Sequence, residues 1–175
     1  GAARIVVAGG AESYSRRPLR LATDPEGGPA VPYDRPAFSP FPDRDPDLHE
    51  AAWHLAQKLG LTRARMDAWA MESHAKALAG RARLMAEIVP LLGVTADAFS
   101  RALTPALATR APALVGDITG ANAAVAADGA AFVIVSDRPL GPNPLRIVAG
   151  LTRGADPAEP GLAPAEAIAQ ALRAA

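Results

Sequence analysis

VVAGGAESYSRRP, residues 6–18, is the stretch on which the reading of the fold turns. In the run RIVVAGG, Ile5, Val6 and Val7 are β-branched and suit a buried, extended strand. Gly9 and Gly10 follow at once and predict a tight exit, because glycine enters conformations closed to other residues. A dinucleotide-binding loop would need G-x-G-x-x-G opening a helix, and Gly9-Gly10 does not supply it. Glu12, Ser13, Ser15, Arg16 and Arg17 therefore leave two readings open at this junction, the rim of a site or a plain turn.

Composition narrows the function classes. A chain of 175 residues, 50% of them hydrophobic, is long enough for one domain with a core, or for one domain and part of another. Eighteen basic residues balance eighteen acidic ones, so no net field draws a polyanion. Arg63, Arg65, Lys76, Arg81 and Arg83 alternate with Asp67, Glu72 and Glu87, the pattern of a solvated helix face; no nucleic-acid partner is expected. The absence of cysteine excludes disulfides, a thiolate nucleophile and Cys-ligated metal within these residues. No run approaches the roughly 20 apolar residues of a membrane span, and no signal-peptide pattern opens the chain, so a cytoplasmic location is expected. Because the chain starts on a core-type strand, further residues are expected before it or on another polypeptide.

Working outward from the opening strand, the Pro-, Gly- and Asp-rich segment from Leu19 to Asp47 has neither helical nor strand period and reads as an excursion or lid, with Tyr33, Phe38 and Phe41 as anchors. LHEAAWHLAQKLG then places Leu48, Ala52, Leu55, Ala56 and Leu59 along one helix face and stops at Gly60. Thr62 can cap a second helix running through RARMDAWAMESHAKALAGRARLM, in which Gly80 is a weak point and beyond which Pro90 prevents much extension. A weaker helix is expected around ALTPALATRA, and LAPAEAIAQALRAA closes the chain as a helix with Pro164 near its start. Apolar strands are expected at 4–8, 131–135 and 145–149, giving an α/β class with a sheet too thin to satisfy its own edges.

The chain's histidines, His49, His54 and His74, do not assemble a metal site. In H-E-A-A-W-H the two histidines are one residue too far apart to stack at i,i+4, and no third ligand is evident. Ser13 and Ser15 lack the G-x-S-x-G elbow of a serine hydrolase. GDITGANAAVAADGAA, residues 116–131, is dense in small residues; it fits either a narrow slot for an extended ligand or a tightly packed turn.

These pieces, in this order, resemble the thiolases, which condense or cleave acyl-CoA thioesters. AGGAESYSRRP at 8–18 is similar to A-G-G-M-E-S-M-S-x-x-P, with Ala11 and Tyr14 in place of methionines. The run 48–80 resembles M-G-x-T-A-E-x-V-A followed by I-S-R-x-x-Q-D-x-x-A-x-x-S-H-x-x-A. Glu87-Ile88-Val89-Pro90 matches E-I-x-P, and residues 116–131 match G-T-V-T-A-G-N-A-S-x-x-N-D-G-A-A. LRIVAGLTRGADPAEPGLAPAEAIAQAL is similar to the entry into the family's second half.

The resemblance implies part of a layered αβαβα fold with a mainly helical loop domain. Residues 1–12 would be a strand of the first half, 13–115 the loop domain covering coenzyme A, 116–143 the return to the first half, and 144–175 the start of the second. It also implies ping-pong acyl transfer, in which one cysteine is acylated, a histidine favours its thiolate and a second cysteine moves the α-proton. Those groups fall in family segments that have no counterpart here, so no catalytic residue is assigned and this chain alone is expected to be inactive. Coenzyme A or acyl-CoA is implied as substrate, with no permanent cofactor and no metal.

For binding, the resemblance points to Arg101 as a loop-domain arginine near the CoA phosphates and to Ala124 where the family has a pantetheine-contacting serine. Asp47 and Leu48 stand where many thiolases have histidine and methionine, His49 replaces a glycine, and Ala127 replaces an asparagine. The implied partners are the remaining thiolase segments or a thiolase-like subunit, in a homo- or hetero-oligomer. The alternative is a catalytically inactive thiolase-like scaffold binding acyl-CoA or a protein; an unrelated small α/β binding module is a third class.

Overall fold

A computed structural model describes residues 3–175; residues 1 and 2, at the start of the expected 1–12 segment, lie outside the described residues. The chain is mixed α/β and divides into two compact units. One comprises Gly1–Asp45, Val125–Pro157 and Leu162–Ala175; the other comprises Pro46–Ala124 and Ala158–Gly161.

The first unit is built on an antiparallel pair, β1 (Ile5–Glu12) with β6 (Gly129–Ser136), in register from Ile5 opposite Ser136 to Glu12 opposite Gly129. The tight exit expected at Gly9-Gly10 is not there. The strand runs straight through both glycines, which pair with Phe132 and Ala131. Close approach explains Gly9: a β-carbon there would overlap the Ala131 carbonyl oxygen and stand 2.7 Å from the Phe132 Cα. The strand is also not buried, since Val7 is 67% and Phe132 63% exposed. A two-stranded ribbon with apolar side chains on both faces needs a layer on each to bury them.

The expected strand at 145–149 does not form. Leu145 and Ile147 are exposed and their backbone is irregular, because an extended run becomes a strand only when another backbone satisfies its ladder. Conversely, the aperiodic segment after Leu19 contains a small hairpin, β2 (Arg20–Ala22) with β3 (Val31–Tyr33). The Asp24 carboxylate closes its connection by accepting from the Glu26 and Gly28 N–H groups. Further on, Asp45 accepts from Arg35 at 3.2 Å and from the Phe38 N–H at 3.1 Å. Desolvation opposes the Asp45 charge, yet these donors outweigh it and hold the carboxyl below its usual range.

The second unit is mainly helical. α1 (Leu48–Lys58) is capped by Asp47 and ends before Gly60, whose φ of +62° suits glycine. Its inward face holds Ala51 and Ala56, whereas Leu48 and Leu59, expected inside, are exposed. α2 (Arg63–Ala79) starts at the Thr62 cap, and α3 (Arg81–Glu87) follows immediately after Gly80, so the expected single helix is interrupted there. α4 (Pro105–Arg110) is capped by Thr104. β4 (Ala113–Val115) and β5 (Ile118–Thr119) form a tight hairpin. Leu103, Ala108 and Ala121 are the buried centre, packed by Ala70, Met71 and Ala111. In the first unit, α5 (Ala163–Ala174) closes the chain, with Glu166 paired to Arg153 at 2.7 Å.

Candidate functional site

The small-residue segment 116–124 is held by side chains from the helices of its own unit. Gly116 has a φ of +52° and lies under the Trp53 ring of α1, so it meets both a backbone and a space requirement. Behind it, Asp67 of α2 is buried at 7% exposure and accepts from Arg63 Nε at 2.7 Å and from Asn122 Nδ2 at 2.9 Å. Arg63 also donates to the Ala108 carbonyl at 2.7 Å, tying α4 to α2. Asn122 donates to the Asp117 carbonyl at 3.0 Å and accepts from the Thr119 N–H at 2.8 Å. Arg63 and Asp67 were expected on a solvated face; the i,i+4 pair faces inward because Asn122 and Ala108 supply the partners that make its burial tolerable.

A second cluster forms where α2 meets the loop after α3. Asp97 accepts from the Phe99 N–H at 3.0 Å and the Ser100 hydroxyl at 2.8 Å, and these bonds hold its carboxyl below the usual range. The turn so fixed sets Phe99 against His74, ring centroids 5.3 Å apart, and brings the Arg101 guanidinium 5.0 Å over the Phe99 ring. The Arg101 N–H donates to His74 Nδ1 at 3.5 Å. Arg101 is exposed and pairs with no carboxylate among the described residues.

Asp47 and Leu48 adjoin at the start of α1. The Asp47 carboxylate accepts from the His49 N–H at 2.8 Å, and Leu48 is exposed. Ala124 follows the Asn122 turn and is exposed. Among the described residues no group of His, Asp or Glu side chains is arranged to hold a metal. In the other unit, the junction after β1 is a single 3-10 turn, Tyr14–Arg16, and Asp128 ties it down by accepting from the Ser15 N–H at 2.8 Å and from the Ser15 hydroxyl. These donors keep Asp128 ionised below the usual carboxylate range.

The family model described as thiolase, N-terminal domain, matches residues 1–138. The chain belongs to the thiolase family. Among thiolase relatives, it is 35% identical to an acetyl-CoA acetyltransferase of Pseudomonas aeruginosa, with 98% of this chain and 50% of the relative covered. It is 34% identical to one of Allochromatium vinosum and 32% identical to one of Chromobacterium violaceum, each with 98% of this chain and 50% of the relative covered. The chain spans about half the length of the curated relatives it matches.

With no cysteine among its residues, this chain offers no thiolate to accept an acyl group. It does offer an exposed guanidinium seated on an aromatic ring and, in the same unit, a backbone turn of small residues braced by a buried carboxylate. No helix among the described residues is long and apolar enough to cross a membrane.

Proposed function

We propose that this chain supplies the coenzyme-A-covering part of a thiolase-like acyl-CoA acyltransferase, the acetyl-CoA acetyltransferase type, working in the cytoplasm in lipid metabolism as an oligomer. Residues 13–115 serve as the cover, 1–12 and 116–143 as parts of the first half, and 144–175 as the start of the second. The cysteines and histidine of acyl transfer come from segments or a subunit outside these residues. Arg101 takes a coenzyme phosphate, the turn ending at Ala124 borders the pantetheine arm, and Asp47 and Leu48 lie along the substrate side.

The observation that carries this reading is Arg101. A solvent-facing guanidinium stacked on Phe99 and free of carboxylate partners among the described residues is oriented yet unsatisfied, and its planar fork suits phosphate oxygens. One observation favours the second reading, a catalytically inactive scaffold: the Asp47 carboxylate is engaged as the α1 cap, and Ala124 has no hydroxyl to offer. Titrating coenzyme A into the native protein and its Arg101→Ala variant, at low and high salt, separates them. The acyltransferase reading expects salt-sensitive binding that the variant loses; equal binding by both rejects Arg101, and no binding by wild type favours the scaffold.

A further inference from the structure

Buried polar side chains are few among the described residues, and of Ser39, Asp67 and Thr119 the last two belong to a single network. Asp67 is the one acid in it. A buried carboxylate costs solvation that its Arg63 partner only partly offsets, so its placement against the Asn122 turn has a consequence beyond pairing.

That consequence follows from donor and acceptor chemistry. An asparagine amide can sit either way round in a symmetric pocket, because its oxygen and nitrogen are nearly the same size. An ionised Asp67 only accepts, so it admits the Asn122 Nδ2 and rejects the oxygen. With Nδ2 held at 2.9 Å by Asp67 and 3.0 Å by the Asp117 carbonyl, Oδ1 has to face the Thr119 N–H, 2.8 Å away. Thr119 in turn closes the loop: its carbonyl accepts from the Asn122 and Ala123 N–H groups at 3.2 and 2.9 Å, and its hydroxyl accepts from the Ala121 N–H. Ala124 is the next residue. The backbone path that leads to it is thus tied to the orientation of one amide, which the Asp117 carbonyl and the Thr119 N–H select from within the turn and the Asp67 carboxylate anchors to α2 from outside it.

We infer that Asp67 is a positioning residue for the pantetheine arm: acting through Asn122, it fixes the backbone at 119–124 against which the arm of coenzyme A lies. The inference rests on the reading that the chain covers coenzyme A. It adds a residue that touches no ligand and lies on a different element from Arg101, whose phosphate contact belongs to the nucleotide end.

Asp67→Asn tests this in the native protein, since it keeps shape but replaces the charged acceptor of Asn122 Nδ2 with a neutral amide and so weakens the anchor of the turn on α2. Two ligands are titrated, coenzyme A and its phosphorylated nucleotide half lacking the pantetheine arm, and amide hydrogen exchange is followed at Thr119 and Ala123. Loss of a hydrogen bond to a charged group predicts coenzyme A binding about tenfold weaker, with the nucleotide half unaffected and the two amides exchanging faster. Asn122→Ala, which cuts the same bond from the other side, should give the same split, and the double variant no further loss. Equal weakening of both ligands would show general loosening and overturn the inference. Unchanged exchange at Thr119 and Ala123 would overturn it whether or not coenzyme A binds. Faster exchange in a protein whose wild type binds no coenzyme A would reject the coenzyme reading, and the pantetheine role with it.

Discussion

The Trp53 ring covers Gly116 so closely that a β-carbon on the glycine would stand 2.6 Å from Cδ2 of the indole. Gly116 also has a φ of +52°, where an L side chain is strained. Both effects oppose any substitution. Gly116→Ala is expected to destabilise the helical unit by about 3 kcal/mol, strain and overpacking together, measured by chemical denaturation. A loss within experimental error would show that Trp53 is free to swing away.

The paired glycines of β1 make opposite predictions. A β-carbon at Gly9 meets the facing strand, whereas one at Gly10 meets nothing within 4 Å. Gly9→Ala should separate β1 from β6 and cost about 1–3 kcal/mol, as overpacking does, while Gly10→Ala should be neutral or mildly stabilising. Thermal melts of the two variants provide the comparison, and equal effects would contradict the register.

Much of the helical unit was legible from local signals. Thr62 caps α2, Gly60 stops α1 and Gly80 breaks the helical run after it, because caps and breaks are decided within a few residues, whereas the caps at Asp47 and Thr104 were not read from the sequence. The need for Gly9 was not legible in that way, since what forbids a side chain there is Ala131 and Phe132, far along the chain. Likewise the pair Arg63 and Asp67 reads as a surface ion pair until Asn122 is placed beside it. Local propensity also misleads in the apolar run around Ile147 and Val148, where a strand-forming composition without a partner backbone leaves exposed, irregular chain. The seat of the Arg101 guanidinium on Phe99 was not legible either, because the turn that brings the two together is fixed by the bonds that Asp97 accepts.

Acid should release the Ser15 turn late. Hydrogen bonds from Ser15 lower the Asp128 carboxyl in the folded chain, so its contribution is complete above the unfolded aspartate value of about 3.9 and is lost as pH falls through the lower folded value. Exchange of the Ser15 amide should remain slow through the ordinary carboxylate range and quicken below it. In Asp128→Asn the acid step at this amide should vanish; its persistence would assign the step to another carboxylate.

These 175 residues alone should neither cleave acetoacetyl-CoA with added coenzyme A nor condense acetyl-CoA. The acyl transfer that the thiolase resemblance implies runs through a cysteine thiolate, and these residues include no cysteine. Product above a protein-free control, surviving repurification, would demand a different nucleophile.

The pairing of β1 with β6 also sets an order of assembly. Their innermost partners, Glu12 and Gly129, flank the whole stretch Pro46–Ala124, so the ribbon closes only after that stretch has been made. A helical unit rich in short-range contacts folds quickly, and once folded it ties together two points of the long loop, leaving less chain to be ordered when the strands meet. On a ribosome, β1 would therefore emerge well before β6 and wait for it. During that interval the Ile5-Val6-Val7 run lacks the ladder that β6 later supplies, and its strand-forming apolar side chains are open to wrong pairings.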